Sequence, residues 1–133
     1  MTTIAEALRT YIISDVTVGG MVSTRMYPIK LPQNPTMPAI TYQYIGGDSV
    51  MSHDGASGLG NPIMQIDCWG STYSEMDALF EAVRKRINGA KGTLSGVQTQ
   101  GIFLARRRDL YEYETKLHRR SSDWSVWSEE ALT

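Results

Sequence analysis

Side chains that commonly carry out chemistry are few in this chain and lie far apart. The histidines are His53 and His118, and the only cysteine is Cys68. A nucleophilic cysteine needs an exposed thiolate beside a base, whereas Cys68 alternates with apolar residues and is predicted to face the core. His53 and Asp54 are adjacent in a glycine-rich stretch that fixes no geometry between them. We therefore predict no catalytic centre, no metal site and no cofactor.

Basic residues are concentrated towards the end of the chain. Residues 84–120 hold ten Lys or Arg and three Asp or Glu, a net charge of +7. The whole chain has a net charge of −1, so the remaining residues total −8. Such segregation favours a contact with another copy or with a different partner. Solvated charges that happen to cluster are the alternative explanation.

Within this basic region, five arginines are the candidate contact residues. They are Arg106, Arg107, Arg108, Arg119 and Arg120. Tyr111 and Tyr113 lie between the two groups, and basic side chains with aromatic rings can bind single-stranded nucleic acid. Glu112 and Glu114 occupy the same turn, which disfavours that function. A small nucleic-acid-binding protein with a basic patch is therefore kept as the alternative function.

The elements that position these residues begin with a strand and a helix joined by a tight turn. Met64, Ile66 and Cys68 fall on one face of the strand, while Asp67 points away from the core as a solvated or interface charge. Thr72 and Ser74 are each followed three residues later by an acid, so either can open the helix. Five apolar residues then form one stripe along the helix: Met76, Leu79, Phe80, Val83 and Ile87. Asn88-Gly89 predicts its end.

The remaining elements follow from the same patterns. A first helix is predicted from about Thr3 to Ser14, capped by Thr3 and broken before Gly19-Gly20. Three more strands are predicted: 39–45, 97–109 and 117–127. Ile102, Phe103 and Leu104 are expected to be buried, Arg106 to Arg108 to leave the sheet, and 110–115 to form a turn. The order α-β-β-α-β-β predicts an α+β fold, a four-stranded, mainly antiparallel sheet with two helices on one face.

Two irregular segments complete this organisation. Residues 28–38 carry four of the five prolines, which predicts an extended arm without ladder pairing. Residues 46–60 are polar and glycine-rich, which predicts a hairpin with a long loop at its tip. The alternative is that Asp48 to Ser52 prolong the first strand. Pro32 and Pro35 in the arm, and Asp48 and Asp54 in the loop, are further candidates for partner contacts.

Length and composition bound the class of protein. The chain has 133 residues, of which 41% are hydrophobic and 20% charged, as expected for one globular domain over residues 1–133. No apolar run approaches the roughly 20 residues that span a bilayer, and the N-terminus lacks the pattern of a signal peptide. We expect no membrane partner, no internal disulfide, and synthesis in a cytoplasm-like compartment.

Three stretches together resemble a known family. They are YPIKLPQNPTMPAITYQ, QIDCWGSTYSEMDALFEAVRKRI and DLYEYETKLHRRSSDWSVW. They are similar to the small tail-completion, or tail-terminator, proteins of long-tailed bacteriophages and gene transfer agents. The resemblance covers nearly the whole chain in order, and residues 46–60 are its least typical part.

The resemblance implies a structural virion protein. Such subunits form a homohexameric ring at the head-proximal end of the tail tube, stop its polymerisation and join the tail to the head connector, or stopper. The implied partners are other copies of the chain, the tube protein and the connector, with DNA passing through the lumen without sequence-specific binding. The implied location is the virion tail, after assembly in the host cytoplasm.

Overall fold

The computed structural model describes residues 3–52 and 55–129, the side chains of residues 47–60 and 129 excepted. These residues form three helices and six strands. The helices are α1 (Ile4–Ile13), α2 (Val16–Val22) and α3 (Tyr73–Ile87). The strands are β1 (Met26–Pro28), β2 (Ala39–Ser52), β3 (Gly55–Gly70), β4 (Gly92–Leu94), β5 (Val97–Glu112) and β6 (Leu117–Glu129).

The six strands form one curled, mixed sheet in the order β1-β2-β3-β6-β5-β4. Strand β1 pairs with β2 in parallel, and every other neighbouring pair is antiparallel. The two longest hairpins, β2–β3 and β5–β6, meet where β3 pairs with β6, with Cys68 opposite Arg120. The centre of the sheet is therefore built from strands that are distant in the sequence.

The hydrophobic core lies between the helices and one face of this sheet. Phe80 of α3, Leu8 of α1 and Val18 of α2 are at most 1% exposed, and they join one cluster with sheet residues such as Ile66 and Trp124. Burying a large apolar side chain contributes about 1.5–3 kcal/mol. The predicted stripe on α3 is confirmed, since all five of its residues are buried.

Helices α1 and α3 begin as their sequences predict. The Thr3 side chain accepts a hydrogen bond from the Glu6 backbone N–H at 3.1 Å, and the Thr72 side chain accepts one from Glu75 N–H at 3.1 Å. The Glu75 carboxylate in turn accepts a hydrogen bond from the Ser71 N–H at 2.8 Å. Each cap satisfies donors that a helix N-terminus leaves without an internal partner.

The predicted fold class, α+β, is confirmed, but the prediction of four strands and two helices is wrong. The sequence analysis missed the three-residue strands β1 and β4, which add one edge strand at each side. It also missed α2, because Gly19-Gly20 was interpreted as a break. The Asp15 side chain caps α2 by accepting hydrogen bonds from the N–H groups of Thr17 and Val18, both at 3.1 Å.

The predicted loop at residues 46–60 is replaced by paired strands. The β2–β3 ladder continues through Gly46 opposite Ile63 to Ser52 opposite Gly55. The hairpin itself is as predicted, but its arms are longer. Strands over most of this segment were not predicted, because glycines and small polar residues have low strand propensity. His53 and Asp54 lie outside the described residues.

The β5–β6 hairpin also differs from its prediction. Strand β5 runs to Glu112, so Arg106 to Arg108 are within the sheet and do not leave it. The turn is shorter than predicted and covers residues 113–116. Phe103, predicted to be buried, is 51% exposed because it points away from the helices. Ile102 on the opposite face is fully buried, as strand alternation requires.

Gly19 and Gly20 provide a matched test of the helix packing. A Cβ at Gly19 would lie 2.7 Å from the backbone oxygen of Ile13, whereas one at Gly20 would meet nothing within 4 Å. Gly19→Ala should therefore destabilise the protein by about 1–3 kcal/mol through overpacking. Gly20→Ala should stabilise it by up to about 1 kcal/mol, because alanine is the better helix former. Urea unfolding of both variants measures this, and equal effects would contradict the packing.

Candidate assembly interface

The run Arg106 to Arg108 occupies the middle of β5, and all three side chains are exposed. A bulge between Leu104 and Arg106 shifts the register before the run. The Arg106 Nε donates to Asp123 Oδ2 at 2.6 Å, although the Arg106 side chain remains 79% exposed. The Arg107 guanidinium lies 5.5 Å from the centroid of the Phe80 ring, on the helix side of the sheet. The run thus offers positive charge from both faces of one strand.

Arg120 does not belong to this exposed group. Its side chain is only 7% exposed. Its guanidinium donates to Asp109 Oδ1 at 2.7 Å, to Asp77 Oδ1 at 2.7 Å and to the Tyr73 hydroxyl at 2.8 Å. Arg120 therefore joins β6 to β5 and to α3 inside the subunit. Its role as a direct partner contact stays a prediction, and the low exposure of its side chain disfavours it.

The ionisation of this network follows from the same bonds. The hydrogen bond from Arg120 holds the pKa of Asp109 below its ordinary value, and burial opposes this shift only in part. The bond to Asp109 likewise raises the pKa of Arg120. The Tyr73 hydroxyl donates to Asp109 Oδ2 at 3.0 Å, and this bond raises the pKa of Tyr73. Asp109 and Arg120 are therefore both charged at neutral pH, and Tyr73 is neutral.

Arg119 lies on the opposite face of the sheet, within a second group of polar residues. Its Nη1 is 3.7 Å from Asp67 and 3.8 Å from Glu112, and its guanidinium lies 5.0 Å from the Trp69 ring centroid. Its buried Nε has no hydrogen-bond partner among the residues the structure describes. Arg119 is 27% exposed at its side chain, so it can still reach a partner, but its charge is already balanced within the subunit.

Asp67 was predicted to be a solvated or interface charge, and the structure corrects this. It does face away from the helices, but it is only 5% exposed. The Gln65 side-chain amide lies 3.2 Å from both of its carboxylate oxygens. Burial raises the pKa of Asp67, even though Ser121 and Gln65 donate hydrogen bonds to it and Arg119 is near. Its cross-strand neighbours on this face, Thr41 of β2 and Ser121 of β6, are buried as well.

The proline segment 28–38 is held to its own sheet at both ends. The Ile29 N–H donates to the Tyr42 carbonyl at 2.8 Å, and Arg25 Nε donates to the Pro38 carbonyl at 3.1 Å. Pro32 is exposed and Pro35 is half-buried. The middle of the segment is therefore presented to solvent from two fixed points.

Ile29 stands out at the start of this segment. It is 72% exposed and has φ of 70°, a left-handed conformation that is strained for a β-branched residue. It borders a groove of about 500 Å³ between α1 and β2, lined in part by Ala5, Tyr42 and Tyr44. An exposed apolar side chain held in a strained conformation is a reasonable contact point for a partner.

The sequence analysis identified Tyr111 and Tyr113 but missed Tyr73, which joins them through its contact with His118. Tyr73, Tyr111 and Tyr113 are 49%, 41% and 85% exposed. The Tyr111 ring packs against Tyr113 and His118, at centroid distances of 5.0 Å and 4.9 Å. Tyr73 was not identified because it lies in the first turn of α3, where its sequence position gives no link to the β5–β6 turn. Exposed tyrosines are common where proteins bind each other.

Of the residues considered for catalysis, Cys68 and His118 lie in the described part of the chain, and their surroundings do not suit a catalytic role. Cys68 is fully buried, and this burial raises the pKa of its thiol, so no thiolate forms at neutral pH. His118 packs between the rings of Tyr73 and Tyr111. Within residues 3–52 and 55–129, no group of three or more His, Cys, Asp or Glu could hold a metal ion. None of the described helices is long and apolar enough to cross a membrane.

Comparison with known proteins identifies the family. The sequence profile described as "Tail completion protein gp17" matches residues 6–129. The chain belongs to this family of tail completion proteins. It is a structural component of a virion tail, as the resemblance implied. No curated protein sequence matches it.

A solved structure shares the fold of this tail completion protein. A chain from "Virion of native gene transfer agent (GTA) particle" superposes with a TM-score of 0.70 over 97% of this chain and 99% of that chain, at 16% identity. At that identity the match concerns the fold alone. The curled sheet with helices on one face is thus shared by proteins whose sequences have diverged widely.

The Arg120 network should stabilise the subunit. Arg120→Met should cost about 2–3 kcal/mol, less than for a fully buried ion pair, because Asp77 and Asp109 are half-exposed and can be hydrated again. The depressed pKa of Asp109 contributes stability above the pKa of the unfolded chain and loses it as pH falls through the folded pKa. The difference between the variant and the wild type should therefore shrink below about pH 4.

The matched control is Arg108→Met, which removes an exposed guanidinium from β5, the other strand of the same hairpin. It should change stability by no more than about 0.5 kcal/mol. Urea unfolding at pH 7 and at lower pH measures both variants. Equal losses for Arg108 and Arg120, or a difference that grows on acidification, would contradict the structural role of the network.

Proposed function

We propose that this protein is the terminator of the tail tube: a homohexameric ring that caps the head-proximal end, stops tube polymerisation and joins the tail to the head connector. The observation that carries the proposal is the exposed run Arg106 to Arg108 on β5 in a chain of the tail completion family. An unburied basic row on a rigid strand suits contact with a protein surface of opposite charge.

In the proposed ring, six copies close head to tail. Each interface is heterologous, so one surface of a subunit meets a different surface of the next, and closure limits the number of copies. The charges support such a contact, because residues 84–120 have a net charge of +7 and the rest of the chain −8. Arg106 to Arg108 are the first candidates for the subunit or connector contact, Arg119 is a secondary one, and Asp48 and Asp54 are acidic candidates.

The segments away from the basic strand are proposed to meet the tube protein and the connector. The proline segment presents Pro32 and Pro35 from two fixed ends, and the strained, exposed Ile29 lies beside an apolar groove. The β2–β3 hairpin extends past Glu129 of β6, the last described residue that pairs with it. Both can reach a neighbouring ring. DNA would pass through the lumen without sequence-specific binding.

The other candidate functions have less support. Nucleic-acid binding requires free positive charge, but Arg120 is bonded within the subunit and Arg106 and Arg119 lie beside carboxylates. Catalysis by a thiol is disfavoured, since the only cysteine, Cys68, is buried. We therefore propose a structural function without an enzymatic one.

Particles made without this protein should have tails of uncontrolled length, because nothing would stop tube polymerisation. Electron microscopy of particles from a deletion strain measures the tail lengths, with the wild-type gene supplied in trans as the control. Tails of normal length that are merely unattached to heads would leave joining as the function and remove tube termination from the proposal.

Charge reversal tests the role of the basic strand. Arg107→Glu with Arg108→Glu should prevent the deletion strain from regaining normal tails, while the unfolding free energy of the isolated subunit changes by less than about 1 kcal/mol. The matched control is Lys85→Glu with Lys91→Glu, which makes the same charge change at exposed positions of α3 and the loop that follows it. Normal tails from the Arg107/Arg108 variant would exclude β5 from the contact.

A further inference from the structure

The two outer strands of this sheet leave most of their outer edges without a neighbouring strand. At one side, β1 covers β2 only from Ile40 to Tyr42. At the other side, β4 covers β5 only from Val97 to Thr99. Among the described residues, 43–52 of β2 and 100–112 of β5 therefore pair with a strand on one side only. On β5 the Ile102 carbonyl also accepts a hydrogen bond from the Gly89 N–H at 2.7 Å, so the outer edge beyond Ile102 is the part available for pairing. Such edges present a row of backbone N–H and C=O groups that can pair with another chain.

The two free edges differ in charge. Between Ala39 and Ser52 the only charged residue is Asp48, whereas β5 carries Arg106, Arg107 and Arg108 in succession. Pairing two β5 edges would bring two sets of three arginines together, and like charges on facing strands are destabilising. Pairing β5 with β2 avoids this repulsion, because β2 carries no basic residue. The charges thus favour contact between unlike edges.

Exposed apolar side chains lie beside both edges, on the same face of the sheet. Ile45 of β2 is 41% exposed and Phe103 of β5 is 51% exposed. Phe103 and Ile63 both pair with Ser125, which places them on the face turned away from the helices. Ile45 is the bulge residue between Tyr44 and Gly46, and Gly46 pairs with Ile63 on that face. In a register that places Ile45 of one copy opposite Phe103 of the next, these two exposed apolar side chains would contact each other.

We infer that the free edge of β2 in one copy pairs with the free edge of β5 in the next copy, so that one sheet continues from subunit to subunit. The inference rests on the proposed ring and names its interface. The occupant of each edge is a second copy of this chain. Because β2 and β5 lie towards opposite sides of the sheet, the contact is heterologous and can close a ring.

Introduced cysteines can test this contact, because the native Cys68 is buried and its thiol has a raised pKa. A chain with Ile45→Cys and Phe103→Cys, assembled into particles and treated with a short bismaleimide, should give a ladder of covalent multimers on a denaturing gel. A second chain with Gln43→Cys and Phe103→Cys covers a register two residues away on the same face. At least one of the two chains should form the ladder.

The matched control is Val16→Cys with Phe103→Cys, since Val16 is 90% exposed but lies on α2, away from both edges. It should give no ladder, and neither should the single variants. A ladder in the control, or dimers from Phe103→Cys alone, would overturn the pairing of unlike edges. So would the absence of a ladder in both test chains when the particles contain the protein at the tail end.

This outcome is separable from that of the proposed function. If the test chains form the ladder but deletion particles have tails of normal length, edge pairing stands and the terminator function fails. If deletion tails are overlong but neither test chain is cross-linked, the terminator function stands and the edge pairing fails.

Discussion

The buried guanidinium of Arg120 is the interaction on which the geometry of the proposed interface depends. It bonds to Asp109 on β5 and to Asp77 and Tyr73 on α3, so it fixes the outer hairpin against the helix. A buried guanidinium is stable only where its N–H groups are hydrogen-bonded, and here three residues accept these bonds. Strand β5 is therefore held in one position, and the arginines next to Asp109 are presented from a rigid support.

Part of the sheet face that points away from the helices is also buried. Thr41, Asp67, Trp69 and Ser121 face away from the helices, and none is more than 6% exposed. The Trp69 indole N–H donates to the Thr41 hydroxyl at 2.9 Å, which satisfies a buried donor between β2 and β3. This face thus stabilises the sheet through polar contacts, while the apolar core occupies the other face. The side chains left exposed are mainly those near the strand edges.

Patterns with a strict period were predictable from the sequence, and close approaches between elements were not. The stripe on α3, its Thr72 cap and the inward position of Cys68 follow from spacing alone. Helix α2 was missed because glycine in a sequence favours a break in a helix. In the fold, Gly19 lets α2 pack closely against α1, since a Cβ at Gly19 would lie 2.7 Å from the backbone oxygen of Ile13. Strand alternation places Arg120 on the same face as Trp124 and Val126, which are buried. Its carboxylate partners were not predicted, because they lie on other elements.

Arg120 stabilises the subunit, whereas Arg106 to Arg108 are exposed to partners. This difference helps to explain how a subunit with one core can take part in an assembly. A chain of this size places its apolar residues on one sheet face, so few large apolar surfaces remain for partners. Backbone edges and charges are then the means of association that cost the subunit little stability. Edges alone would pair without selection. In the proposed ring, the basic run on the β5 edge supplies the selection, because its repulsion disfavours the pairing of two β5 edges and leaves β2–β5 pairing without that cost.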